Sequence, residues 1–174
     1  DHQKLDLTAC RAPYHDDPDG DLSAMAERFR REGEGDTWLL LTHMTQRIKA
    51  ELSYQRREEP GVQDPAETLA LGSGSCRDYA ELMCELTRRL GFAARFVTGY
   101  LYDPALDPRH ASAPSQVQGA GATHAWVQVF IPGAGWIEFD PTNGEVASGK
   151  LIRTGVGRLP DQVAPLTGFY DGRP

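Results

Sequence analysis

The sequence predicts an α+β fold in which helices pack on an antiparallel sheet. Two observations support this prediction. From residue 21 to residue 90 the apolar side chains recur at helical spacing, whereas after residue 94 the chain shows short runs of β-branched and aromatic residues. A chain with helices first and strands afterwards forms its core most simply by packing the helices against a sheet.

Four helices are predicted before the strands. Asp21 and Asp36 are suited to be the N-caps of the first two, and a short third helix begins near Pro65. Residues 56–61, a charged stretch that ends in Pro-Gly, are predicted to be a solvated connection. Gly91 stands where the fourth helix should end, in the usual C-terminal glycine position.

The strands follow the helices. Residues 94–101 and 124–131 are rich in β-branched and aromatic side chains. Residues 136–139 follow the second run after a Pro-Gly turn, so the two should pair as a hairpin. Residues 150–156 are predicted to form a fourth strand, and residues 165–170 a last extended piece.

The length and the net charge of the chain limit the classes of protein to which it can belong. A length of 174 residues suits one domain with a core, and 40% hydrophobic with 25% charged residues is ordinary for a globular protein. The net charge of −7 disfavours nucleic-acid binding, and no apolar run approaches the roughly 20 residues of a membrane helix. We therefore expect neither nucleic acid nor a membrane as partner.

The N-terminal part is predicted to lead into the domain. Residues 1–20 are rich in Asp and Pro and should be extended, and the start at Asp1 suggests a piece of a longer protein. We assign residues 1–35 to the end of a linker with a first helix, and residues 36–174 to the main domain. Three cysteines without paired spacing argue against disulfides, so a reducing, cytoplasmic location is expected.

Cys76 is the most informative residue of the chain. It follows the flexible run 72–75 and opens a helix, where unpaired backbone N–H groups and the helix dipole favour a nucleophilic thiolate. A small buried side chain at the start of a core helix is the alternative. Asp78, in the first turn, is expected to have a capping role, and Cys84 is expected to be inert core.

A cysteine nucleophile needs a base and a group that orients the base. His124 begins one strand of the hairpin and Asp140 ends the other, so both should lie at the same end of the sheet. Taken singly, such a His is usually a half-exposed polar residue and an Asp before Pro is usually a turn residue. The combination of helix-start Cys, strand His and strand-end Asp is more specific than its parts.

These motifs resemble the transglutaminase-like cysteine enzyme superfamily, particularly its bacterial branch. The resemblance covers roughly residues 36–172, and the spacings of the three residues fall in the family's range. Four segments carry it: residues 72–80, 90–101, 123–126 and 135–144. It implies a papain-like, transglutaminase-core fold, with the Cys at a helix N-terminus and the His and Asp on the sheet.

The resemblance also implies a mechanism. Cys76 would attack the carbon of a carboxamide, His124 would exchange its proton with the leaving group, and Asp140 would orient the imidazole. The thioester acyl-enzyme would then pass to water, as in a cysteine protease, peptidase or amidase, or to an amine, as in a transglutaminase-like acyltransferase. The implied substrate is a peptide, a protein or another carboxamide, and no cofactor is implied.

Four further assignments concern the surroundings of the nucleophile. The backbone N–H of Cys76 should be one oxyanion donor, and Tyr54 is the candidate for the second, with core packing as its alternative. Trp126 shares a strand face with His124, and Ser75 precedes the nucleophile. Both are candidate residues of the substrate cleft, and a core role for Trp126 is equally open.

Other functions compete with this one. A binding or scaffold module could keep the fold without turnover, and a zinc site could use the same three side chains, although no paired Cys or His motif supports it. No acidic loop resembles a calcium site, so we expect no metal and independence of calcium. Hydrolysis is favoured over transfer because the site should be open to water unless residues 102–121, a long loop, form a lid.

Overall fold

The computed structural model describes residues 2–106, 118, 122–164 and 172, with side chains from residue 7 onward. Its helices are α1 His2–Arg11, α2 Asp21–Glu32, α3 Thr37–Glu51, α4 Pro65–Leu71 and α5 Cys76–Arg89. Its strands are β1 Ser53–Tyr54, β2 Ser73–Gly74, β3 Ala94–Leu101, β4 Thr123–Ile131, β5 Gly135–Asp140, β6 Glu145–Val146 and β7 Leu151–Gly157. No helix in this described part is long and apolar enough to cross a bilayer.

The larger sheet has five strands in the order β6-β5-β4-β3-β7, and every neighbouring pair is antiparallel. The predicted hairpin is β4–β5, in which Val127 lies opposite Phe139. The helices pack against this sheet, so the predicted α+β class is confirmed. The predicted extended piece at 165–170 and most of the loop at 102–121 lie outside the described residues.

Helix α5 is the centre of the fold. It packs on β3 and β4 on one side and on α2, α3 and α4 on the other. The apolar residues of α5 that recur at helical spacing form a stripe along one face, which is buried throughout, and each large side chain in it contributes about 1.5–3 kcal/mol on burial. Because the helix is covered on nearly all sides, it also buries Glu81, Glu85 and Arg88, which the stripe did not predict.

The segment before α2 supplies partners for these buried carboxylates. His15 donates through its ring nitrogens to Glu81, at 2.8 Å, and to Asp64, at 3.0 Å. The backbone N–H of Tyr14 donates to Glu85 over 3.0 Å. Burial alone would lower the pKa of His15, but the two neighbouring carboxylates outweigh it and raise the value. This N-terminal segment is therefore part of the packing around α5.

Two expectations about the N-terminal part are wrong. Residues 2–11 form a helix rather than an extended lead-in, because the first proline stands at residue 13 and the cluster of Asp residues begins only at residue 16. Asp21 is the first helical residue and not the N-cap. The carboxylate of Asp17 instead accepts hydrogen bonds from the backbone N–H groups of Leu22 and Ser23.

Helix α2 adds Leu22, Ala26 and Phe29 to the same core as α5. The division of the chain at residue 36 stays a prediction. The N-cap predicted at Asp36 is confirmed, since its carboxylate accepts from the backbone N–H of Leu39 at 2.9 Å.

Candidate active site

A tight turn presents Cys76 at the start of α5. Ser75 is the N-cap, and the preceding Gly74 belongs to the short parallel pair β1–β2. A Cβ on Gly74 would lie 2.8 Å from the Cβ of Asp78, closer than such atoms approach, so the turn needs glycine. The backbone N–H of Gln55 donates to the Gly74 carbonyl over 2.8 Å. This hydrogen bond holds the residue after β1 against the nucleophile turn.

The Asp78 carboxylate accepts hydrogen bonds from the nucleophile turn and from two residues that precede it in the chain, Arg57 and Gln63. It accepts from the backbone N–H and the hydroxyl of Ser75, at 2.7 and 2.8 Å, which confirms the predicted capping role. It also accepts from the Gln63 backbone N–H at 2.7 Å and from the Arg57 guanidinium at 2.6 Å. Burial alone would raise the pKa of Asp78, but these four donors together lower it.

His124 and Asp140 meet at the same end of the β4–β5 hairpin, as the strand pattern predicted. The distance from His124 Nε2 to Asp140 Oδ2 is 2.8 Å, and both side chains are buried. Asp140 Oδ1 accepts from the backbone N–H groups of Thr142 and Asn143, at 3.0 and 3.3 Å. The side-chain amide of Asn143 donates to Oδ2 over 2.8 Å, so the carboxylate is held in one orientation.

The other ring nitrogen of His124, Nδ1, does not bind Asp140 and is therefore available to interact with Cys76. Nδ1 is buried and has no hydrogen bond of ordinary geometry to any described residue. Cys76 nevertheless lines the same cleft as His124 and helps to raise the pKa of the imidazole. Burial alone would lower the pKa of His124, but Asp140 and Cys76 together outweigh it and raise the pKa to about 9. The imidazole therefore binds its proton tightly at neutral pH.

A cleft of about 560 Å³ opens over Cys76 and His124. Its described lining also includes Tyr54, Ser75, Arg56, Arg57, Glu58, Arg77, Thr98, Gln118, Ala122, Thr123 and Ala125. Ser75 thus lies at the cleft as predicted, although its hydroxyl is engaged by Asp78. The geometry brings all three residues of the predicted triad, and the predicted Tyr54, to one site.

Tyr54 reaches this cleft from β1. Burial raises the pKa of its hydroxyl most, Cys76 and Asp140 raise it further, and Arg56 and Arg77 act in the opposite direction. The ring also packs edge-on against Tyr79, with ring centres 6.3 Å apart. Tyr54 therefore covers part of the core and also lines the cleft that holds the nucleophile, and its role as an oxyanion donor stays a prediction.

Of the two roles left open for Trp126, the structure supports the core role and not the place in the substrate cleft. Trp126 has no exposed surface and does not line the cleft. Its ring instead stacks on that of His124, with centres 6.0 Å apart and planes inclined by 27°. Gly99 leaves room for it, since a Cβ there would come within 2.7 Å of the indole. Strand alternation gives the face of a residue but not its depth.

Two contributors to the site were not predicted. Arg57 was assigned to a solvated connection, yet it forms an ion pair with the buried Asp78. Asn143 was not singled out, although it holds both Asp140 and, through its side-chain oxygen, the backbone N–H of Gln118 at 3.1 Å. A charged run and a turn asparagine carry no local signal for such contacts.

Cys84 differs from Cys76. None of the three cysteines is in a disulfide, and Cys84 is completely buried in α5, where burial raises its pKa. This burial agrees with the expected core role of Cys84. In the part of the chain that the structure describes, no three His, Cys, Asp or Glu side chains are grouped as metal ligands.

Comparisons with known proteins agree with this architecture. A family model described as the transglutaminase-like superfamily matches residues 23–141, more than half of the chain. An uncharacterized protein of Mycobacterium leprae is 39% identical over 100 residues, which cover 58% of this chain and 33% of the relative. An uncharacterized protein of Mycobacterium tuberculosis is 32% identical over 134 residues, 75% of this chain and 41% of the relative. The chain thus spans less than half the length of these curated relatives.

Two solved structures show the same fold. One, titled a putative cysteine protease from Cytophaga hutchinsonii, superposes with a TM-score of 0.67 at 24% identity and covers 91% of this chain and 49% of that chain. The other is the periplasmic domain of TgpA from Pseudomonas aeruginosa, with a TM-score of 0.58 at 25% identity over 82% of this chain and 48% of that chain. The fold is accordingly the α+β transglutaminase core.

Proposed function

The chain belongs to the transglutaminase-like superfamily, and we propose that it is a cysteine-dependent enzyme that cleaves or transfers carboxamide groups. The observation that carries the proposal is the 2.8 Å contact between His124 Nε2 and Asp140 Oδ2, beside a cleft that is lined by both His124 and Cys76. This is the arrangement of nucleophile, base and orienting group that thiol catalysis requires.

The first half of the reaction forms a thioester. The Cys76 thiolate attacks the carbon of a carboxamide, and the backbone N–H of Cys76 and the Tyr54 hydroxyl stabilise the negative oxygen. The first N–H groups of a helix have no acceptor within the helix, so that of Cys76 is suited to this role. His124 gives its proton to the nitrogen, the C–N bond breaks, and an amine or ammonia leaves.

The second half returns the enzyme to its starting state. His124 takes a proton from water while the water oxygen attacks the thioester carbon. The C–S bond then breaks, which restores the thiolate and the imidazolium and releases a carboxylic acid. We favour water over an amine as the acceptor because the described lining leaves the cleft open. Independence of calcium and a cytoplasmic location stay predictions, and one similar solved structure is a periplasmic domain.

The first experiment measures how fast iodoacetamide alkylates each cysteine from pH 5 to pH 10, with mass-spectrometric assignment. We expect Cys76 to react at pH 6 at least about 10-fold faster than an ordinary thiol, whose pKa is about 8.5. His124→Ala should remove this advantage, and urea-unfolded protein supplies the matched rate without structure. Equal rates for Cys76 in the folded and unfolded protein would contradict the proposal and favour a binding or scaffold module.

A screen of peptide carboxamides would then separate hydrolysis from transfer. Release of ammonia without incorporation of an added primary amine indicates a hydrolase, whereas incorporation of the amine indicates an acyltransferase. Cys76→Ala is the matched inactive control, and a chelator added to the parent protein tests the expected independence of calcium.

A further inference from the structure

The described lining of the cleft over Cys76 carries more positive than negative charge. Its lining includes Arg56, Arg57 and Arg77 but, among the residues that the structure describes, only Glu58 as an acidic side chain. The charge of Arg57 is matched by its ion pair with the buried Asp78. The chain as a whole has a net charge of −7, so a basic rim at this place is a local exception.

Arg56 and Arg77 supply the unbalanced charge. Arg56 is exposed and has no carboxylate within ion-pair distance in the described part of the chain. Arg77 is held in place differently, because its guanidinium donates to the backbone carbonyls of Arg57 and Glu59, at 3.5 and 3.1 Å. These acceptors fix the side chain without cancelling its charge.

Both arginines line the same cleft as the reacting atoms. Cys76, His124 and Tyr54 belong to the same lining, and each of the two guanidinium groups lowers the pKa of the Tyr54 hydroxyl. The N-terminus of the 14-residue helix α5 opens into the same cleft and adds a partial positive charge. An anionic group bound here would lie beside the carboxamide that Cys76 attacks.

We propose that Arg56 and Arg77 bind a carboxylate of the substrate, so that this site acts on acidic peptides with the carboxylate next to the reacting carboxamide. A guanidinium is planar and always charged, and it pairs with a carboxylate through two parallel hydrogen bonds. The proposal rests on the proposed function, since it assigns the substrate class of the same cleft. The carboxylate could belong to an Asp or Glu side chain or to a peptide C-terminus.

The test compares two alkylating reagents at Cys76 in the folded protein. Iodoacetate carries a carboxylate and iodoacetamide is neutral, so the ratio of their rates reports charge beside the sulfur. His124 also attracts iodoacetate, and the decisive quantity is therefore the change of this ratio on mutation. We expect Arg56→Gln to lower the ratio about 3- to 10-fold and Arg56→Glu to lower it further, with both effects weaker at 1 M salt.

Arg30→Gln, which removes an exposed arginine of α2 outside the cleft, is the matched control and should leave the ratio unchanged. An unchanged ratio in Arg56→Gln would overturn the carboxylate site. The rate with iodoacetamide alone reports activation of Cys76, so failure of the proposed function appears there and is distinguishable from failure of this inference.

Protection of Cys76 from iodoacetamide by peptides separates the two sources of the carboxylate. Four short peptides combine Glu or Gln at one position with a free or an amidated C-terminus. Stronger protection by Glu assigns a side-chain carboxylate, and stronger protection by the free terminus assigns a terminal one. Equal protection by all four peptides would overturn the proposal.

Discussion

Cys76 and His124 meet in one cleft, but different interactions hold them. The nucleophile turn depends on a buried charge, because Asp78 collects donors from Ser75, Gln63 and Arg57. The base depends on strand pairing and on a carboxylate that backbone amides orient. We therefore expect loss of the Asp78 carboxylate to cost the most stability, loss of the His124 charge to cost less, and loss of Asn143 to affect function more than stability.

The largest loss of stability is expected on the nucleophile side, from the substitution Asp78→Ala. The substitution removes the carboxylate that pairs with Arg57 and leaves the buried N–H of Ser75 and the half-buried N–H of Gln63 without an acceptor. It should lower the free energy of unfolding by about 3–5 kcal/mol. Urea denaturation measures this change. Asp21→Ala is the matched control, since Asp21 is an exposed first-turn carboxylate, and it should cost less than about 1 kcal/mol. Similar losses in both variants would contradict the comparison.

On the base side we expect pH to change stability through His124. Its pKa is about 9 in the folded protein and 6.5 in an ordinary environment, so the folded state binds the proton more tightly. The resulting stabilisation is complete below pH 6.5 and is lost as the pH rises through 9. Its size is at most about 3 kcal/mol.

Urea denaturation at several pH values, for the parent protein and for His124→Gln, measures this contribution as the difference between the two curves. His15, whose pKa is also raised, contributes to both curves and cancels. His43→Gln, on α3, is the control. A difference between parent and His124→Gln that stays constant from pH 6 to pH 9.5 would contradict the assignment.

The smallest effect is expected from the substitution Asn143→Ala, and it concerns the reactivity of Cys76 more than the stability of the fold. Loss of its side-chain amide frees Asp140 to reorient, so the alkylation rate of Cys76 at pH 6 should fall about 3- to 10-fold with little loss of stability. Thr142→Val is the matched control, because the Thr142 hydroxyl has no hydrogen-bond partner among the described residues. If Asn143→Ala changes stability but not the pH profile of alkylation, its role is structural and the positioning role fails.

Much of the architecture could be predicted because its signals are local. The helical spacing around Asp36 and Cys76 and the β-branched runs of β3 and β4 appear in consecutive residues, and the elements were found close to their predicted bounds. The meeting of His124 with Asp140 followed from the hairpin, since a short turn fixes which residues lie opposite each other.

The remaining features depend on contacts between distant parts of the chain. Arg57 resembles any residue of a solvated charged run until the fold places it beside Asp78. Trp126 alternates correctly with His124, yet whether it faces solvent or core depends on Gly99 of the neighbouring strand. The helix at residues 2–11 was not predicted, because the Asp and Pro residues that follow it indicated an extended segment.

The sharing of Asp78 by separate segments also bears on how this sequence can evolve. Losing Arg57 alone leaves a buried negative charge, and losing Asp78 alone leaves a partly buried positive one. Replacing both with a neutral pair of similar volume avoids both charge penalties, provided that position 78 keeps a side-chain oxygen that accepts from Ser75 and Gln63. The two positions are therefore epistatic. Substitution of the present pair requires either a costly single-residue intermediate or a simultaneous change of both residues. Position 57 is therefore far more constrained than the other residues of its charged segment.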